Sequence, residues 1–66
     1  MKNSNETTKA LCPVCGKSYV EEYDICENCN WENDPVQFRK PDLSGGANKM
    51  SLNQAKRAYH AGQPVQ

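Results

Sequence analysis

Two C-x-x-C pairs ten residues apart, a chain of only 66 residues and one well-capped amphipathic segment near the C-terminus together predict a small metal-stabilised α+β domain. Its expected parts are a pair of CxxC knuckles, a short β-hairpin and a C-terminal α-helix. The length argument comes first. A core of this size rarely supplies more than ~3–5 kcal/mol of net stability, and a structural metal is a common remedy. Structural zinc contributes on the order of 10–16 kcal/mol in small finger peptides near neutral pH.

The elements follow in chain order. Residues 1–9 are polar and aperiodic and read as a disordered N-terminal lead. A single zinc-binding domain with four cysteine ligands is expected over residues 10–62, and residues 63–66 as a frayed C-terminus. In the first knuckle, Cys12-Pro13-Val14-Cys15-Gly16, Pro13 presets φ for the turn. Gly16 suits a left-handed position after the second cysteine. The second knuckle is Cys26-Glu27-Asn28-Cys29-Asn30-Trp31. It has Asn30 at the matching place, the non-glycine residue that best tolerates that conformation. Between the knuckles, Tyr19, Val20, Tyr23 and Ile25 have strand propensity, which predicts a hairpin turning near Glu21-Glu22. Asp34, Pro35 and Gln37 read as N-cap, first helical residue and capping partner. They predict a helical turn over 35–39, stopped by Pro41. Trp31, Val36 and Phe38 are the expected lid over the metal site.

Residues 42–50 are read as loop. Gly45-Gly46 could present bare amides to a phosphate, but there is no G-x-x-x-x-G-K-[ST] motif to support it. Ser51 and Gln54 form a capping box, and Gly62 with Pro64 ends the helix. Leu52, Ala55, Ala58 and Tyr59 make its apolar stripe, expected against Trp31, Phe38 and the hairpin. Asn53, Lys56, Arg57 and His60 share the other side.

Charge is zero in total but unevenly spread. Residues 1–35 carry seven acids against three lysines, a net of −4; residues 36–66 carry five bases against Asp42, a net of +4. The structural reading is a basic half folded back on an acidic one, or two solvated faces. The functional reading is a basic surface for an anionic partner.

Cys12, Cys15, Cys26 and Cys29 are the metal ligands this pattern assigns. Four thiolates complete a tetrahedral shell for one Zn²⁺ per chain and leave no open position, which makes the ion structural. Four tetrahedral sulfurs also suit iron, so the fold class is zinc-ribbon/rubredoxin-like. Lys17 and Asn30 depart from a usual iron knuckle. No apolar run is long enough to span a membrane and the N-terminus has no apolar signal region. The cysteines are therefore expected to be reduced and the location cytoplasmic. His60 is the only histidine and all four cysteines are consumed, so no catalytic constellation is expected and no cofactor beyond the metal.

Several blocks resemble the bacterial cysteine-rich CPCC domain. These are Cys12-Pro-x-Cys15-Gly16, Tyr23-Asp24-Ile25-Cys26-x-x-Cys29-x-Trp31-Glu32-x-Asp34-Pro35-Val36-Gln37, Pro41-Asp42-Leu43-Ser44-Gly45-Gly46-Ala47-Asn48, and Ser51-Leu52-x-x-Ala55-Lys56. Val14 stands where the family motif has its middle cysteine, and the two remaining pairs still complete a tetrahedron. The resemblance implies a small zinc-binding bacterial domain without a defined activity.

The leading functional expectation is a non-catalytic zinc-binding mini-domain that acts as a protein interaction module. Nucleic-acid binding through Arg39, Lys40, Lys49, Lys56 and Arg57 ranks second, and rubredoxin-like electron transfer on iron third. Neither a membrane nor a small-molecule substrate is expected as partner.

Overall fold

The computed structural model describes residues 9–66. Apart from Lys9, the expected N-terminal lead lies outside the described residues. Among the described residues four elements follow one another: β1 (Ala10–Leu11), β2 (Tyr19–Val20), α1 (Pro35–Arg39) and α2 (Leu52–His60). No helix among the described residues is long and apolar enough to cross a membrane.

The hairpin differs from expectation in its place. β1 pairs antiparallel with β2, Ala10 opposite Val20 and Leu11 opposite Tyr19, so its turn is the first knuckle itself. The segment read as the hairpin turn is a connector. Asp24 N–H bonds the Glu21 carbonyl, while Tyr23 N–H and the Asp24 carbonyl pair with Asn33 beyond the second knuckle. Ile25 and Glu32 form a bridge there. Each knuckle thus closes its own small loop. The strand-forming residues between the cysteines pair outwards because the local turn at 21–24 directs the two flanks to different partners. Tyr23 takes φ +62° in this turn, a region costly for any side chain with a Cβ.

α1 has the predicted bounds. Asp34 Oδ1 accepts from the amides of Val36 and Gln37, Pro35 opens the helix, and Lys40 leaves helical geometry before Pro41. Gln37, however, does not reach back to the cap. It is fully buried, where its Nε2 donates to the carbonyls of Leu43, Asn48 and Met50. Its Oε1 accepts from the backbone N–H and the side-chain Nδ2 of Asn48. The buried side of α1 is therefore polar, while Phe38 is 56% exposed and Val36 38%. A five-residue helix presents little more than one side chain inwards, and Gln37 occupies that direction. Of the three residues expected as a lid, only Trp31 is buried.

α2 carries the predicted capping box in both directions, Ser51 Oγ with Gln54 N–H and Gln54 Oε1 with Ser51 N–H. At its other end Gly62 has φ +73°. The Gln63 amide returns to Ala58 and the Gly62 amide to Tyr59, a Schellman motif. Leu52, Ala55 and Ala58 enter a core with Val14, Val20, Trp31, Val65 and three of the cysteines, and Tyr59 packs at its edge. The chain beyond the helix is not frayed: Val65 is buried and the Gln66 carbonyl accepts from Met50 N–H. An apolar residue just past a helix cap is drawn back onto the core it can reach.

The 42–50 loop joins the two halves of the chain. Ala47 N–H donates to Asp34 Oδ2, and the Asn48 side chain binds the Glu32 backbone. A Cβ at Gly46 would lie 2.8 Å from both Asp34 Oδ2 and Gln37 Cδ. Glycine is thus required there for close approach, and the amides of Gly45, Ala47 and Asn48 already serve internal acceptors.

Candidate metal centre

The two knuckles are built alike. Gly16 N–H returns to the Cys12 carbonyl and Asn30 N–H to the Cys26 carbonyl. Gly16 and Asn30 both adopt the left-handed region expected of them, at φ +68° and +72°. Just outside each turn, Cys12 N–H bonds the Ser18 carbonyl and Cys26 N–H the Trp31 carbonyl. This folding back turns backbone amides onto sulfur. Amides of Val14 and Cys15 are directed to Cys12, that of Lys17 to Cys15 and that of Trp31 to Cys29. Asn28 N–H lies 3.4 Å from Cys26 Sγ. Donors of this kind favour the charged form of sulfur.

The four sulfurs converge, as their spacing predicts: all lie within 4.8 Å of one another. Cys12 and Cys29 are 3.6 Å apart and Cys15 and Cys26 3.7 Å. Both distances exceed the ~2.05 Å of a disulfide, and the four cysteines are free. They match the edge of about 3.8 Å that a tetrahedron with ~2.3 Å metal–sulfur bonds requires. The residues therefore fit a tetrahedral ion. Val14 is buried in the apolar core, and the sulfur cluster is complete without a ligand from that position.

Electrostatically the thiols are not equivalent. Burial pushes Cys12 and Cys29 up, against the pull of their backbone donors. Burial opposes ionisation of Cys15 as well. Its Asn28 and Lys17 donors and the neighbouring sulfurs outweigh that effect and bring it down to about 7. Four sulfurs in contact can all ionise only if a cation shares them, so the donor set suits a metal ion better than it suits free thiols.

Around the centre, Trp31 is fully buried and its indole N–H has no partner among the described residues. Asn28 Nδ2 donates to Tyr59 Oη at 3.1 Å, tying the second knuckle to α2. His60 lies on the exposed side of that helix with its ring edge-on to Tyr59. Of the basic residues singled out in the sequence, Lys49 and Arg57 come together along a shallow groove floored by Met50, Ala58 and Ala61; Arg39, Lys40 and Lys56 do not line it.

The sequence reasoning missed the roles of Gln37 and Asn48. Only their place in the Trp-Glu-x-Asp-Pro-Val-Gln and Gly-Gly-Ala-Asn blocks could have signalled them. No curated protein matches the chain. Residues 10–62, from the first strand to just past the C-cap of α2, match the Cysteine-rich CPCC family, and the chain belongs to that family.

Proposed function

We propose that Cys12, Cys15, Cys26 and Cys29 bind one Zn²⁺ as a closed structural centre, and that the chain is a non-catalytic, zinc-ribbon-like module that docks another protein. The observation that carries the metal reading is the convergence of all four sulfurs within 4.8 Å, with backbone donors already turned onto them. Such a shell leaves no position for substrate. The docking role is supported by apolar side chains left outside the core. Leu11 and Phe38 are 50% and 56% exposed and share one hollow with Ala10, Pro13, Asn33 and Pro35. Tyr19, opposite Leu11 in the hairpin, is also exposed. Contiguous apolar surface of this kind marks interaction sites.

Elemental analysis of the purified chain is expected to give one zinc per molecule and no visible absorption; a red protein with thiolate-to-iron bands would establish the electron-transfer alternative instead. For docking, affinity capture from the native cell compares the native chain with Leu11→Ser/Phe38→Ser, using Cys26→Ser as an unfolded control. A partner retained equally by the native chain and the surface variant would remove the role given to this hollow.

The groove shared by Lys49 and Arg57 favours nucleic acid as the second reading. That reading requires an affinity that falls steeply with added salt, and absence of binding at low salt would dismiss it.

A further inference from the structure

We propose that Cys15 is an oxidant-sensitive ligand whose modification opens the metal centre through a cross-knuckle Cys15–Cys26 disulfide. This rests on the metal reading given above. Two observations single out this cysteine. First, Cys12, Cys26 and Cys29 are 2%, 0% and 7% exposed, whereas Cys15 is only partly buried, so an oxidant in water reaches its sulfur first. Second, within a cluster whose sulfurs all lie within 4.8 Å of one another, the Cys15 sulfur lies across the knuckles at 3.7 Å from that of Cys26, as the Cys12 sulfur does at 3.6 Å from that of Cys29. Forming a disulfide from Cys15 and Cys26 requires the 3.7 Å separation to shrink to about 2.05 Å.

The oxidant is a hydroperoxide, hydrogen peroxide in the simplest case. The Cys15 thiolate attacks one peroxide oxygen; the O–O bond breaks, hydroxide leaves, and the sulfur becomes a sulfenic acid, oxidised by two electrons. The Cys26 thiolate then attacks that sulfur. The S–S bond forms, the S–O bond breaks, and hydroxide departs to be protonated to water. The centre is left with two ligands, Cys12 and Cys29, too few to retain a tetrahedral ion. A thiol reductant restores both thiolates by exchange through a mixed disulfide.

The experiment uses the full chain with its zinc content measured beforehand. Hydrogen peroxide is added in increments. Released zinc is followed with a chromogenic chelator, and the remaining thiols are alkylated for peptide mapping. Zinc release in step with a first disulfide between Cys15 and Cys26, reversed by dithiothreitol, is the expected result. A first disulfide between Cys12 and Cys29, or one within a knuckle, overturns the proposal. So does zinc retained after Cys15 is oxidised. A chain that holds no zinc at the outset overturns the metal reading itself, and this proposal with it. A Cys15→His variant keeps four ligands of a set zinc accepts but lacks the exposed thiolate. Its zinc should leave about tenfold more slowly at the same peroxide concentration; release at the native rate also overturns the proposal.

Discussion

Asn48 holds the backbone of Glu32 with both ends of its side-chain amide: Oδ1 accepts from Glu32 N–H at 2.9 Å and Nδ2 donates to the Glu32 carbonyl at 2.8 Å. This is the pairing a neighbouring β-strand would offer, supplied by one side chain. It acts on the residue directly after Trp31, at the exit of the second knuckle. Asn48 is joined in turn to Gln37 by three further bonds. The latch over the metal half is therefore a buried amide network, in which every lost partner leaves another group unsatisfied.

Gln37→Ala is expected to be among the most damaging substitutions outside the cysteines. It strips partners from three carbonyls and the Asn48 amide, at a cost of about 2–4 kcal/mol. Urea unfolding of the metal-loaded protein measures it. Combined with Asn48→Ala, the two losses should be less than additive by roughly 1 kcal/mol; strict additivity would show that the two residues act independently.

Gly46→Ala should cost more than Gly45→Ala. At Gly45 the added carbon meets open space, and only the positive φ is strained, by about 1–2 kcal/mol. At Gly46 it meets Asp34 and Gln37 at 2.8 Å and must displace them, for about 1–3 kcal/mol of overpacking plus damage to the network. A lower midpoint for Gly45→Ala than for Gly46→Ala would contradict this ordering.

Tyr23→Asn should stabilise. The tyrosine is 54% exposed and sits at φ +62°, where Asn is far better tolerated. A gain of about 1 kcal/mol is expected, readable as a rise in the denaturant midpoint with unchanged slope. A loss would mean that the ring contributes contacts exceeding the backbone strain.

Asp34 links stability to acid. The Ala47 amide holds its carboxyl below the usual range; burial opposes this, and the Val36 and Gln37 amides assist. A carboxylate with a depressed folded-state pKa contributes stability above its unfolded value of about 3.9 and loses it as pH falls through the folded value. Asp34→Asn keeps a cap but not the charge. At saturating zinc, the native chain should exceed this variant by about 1 kcal/mol from neutral pH to near pH 5, and the margin should shrink below about pH 4. Both proteins share the same sulfurs, so thiol protonation largely cancels in the difference. A margin that widens on acidification would be incompatible with this account.

Removing the proposed zinc ion with a strong chelator should abolish the folded circular dichroism signal. The two strands are two residues each, too short to persist alone, and binding free energy at such sites is largely folding free energy. An unchanged spectrum after verified metal loss would show that the amide latch and α2 suffice.

Much of this architecture was legible because its signals are local. Asp34-Pro35, the Ser51/Gln54 box, Gly62, and the Gly16/Asn30 match each encode a backbone demand within four residues, and each stands where the sequence placed it. The cysteine spacing encodes one long-range fact, the convergence of four sulfurs. What could not be read depends on partners distant in sequence. Strand propensity marked Tyr19 and Val20 without saying that they pair with Ala10 and Leu11. Gln37 has the spacing of a capping partner, and nothing nearby indicates that the 43–50 segment would claim it instead. Phe38 looked like core because it is large and apolar, yet so short a helix had only one inward direction to give. Val65 follows a helix stop, where composition alone suggests a loose end.

Trp31 gives the molecule an optical consequence. It is the chain's single tryptophan, shut away from water in the same apolar cluster as the cysteine sulfurs. Its emission therefore has one source and one environment. When the knuckles part, the indole meets solvent and its spectrum must move to longer wavelength. Loss of the proposed metal ion, oxidation or acid can each be followed in the unlabelled protein from the colour of that one fluorophore.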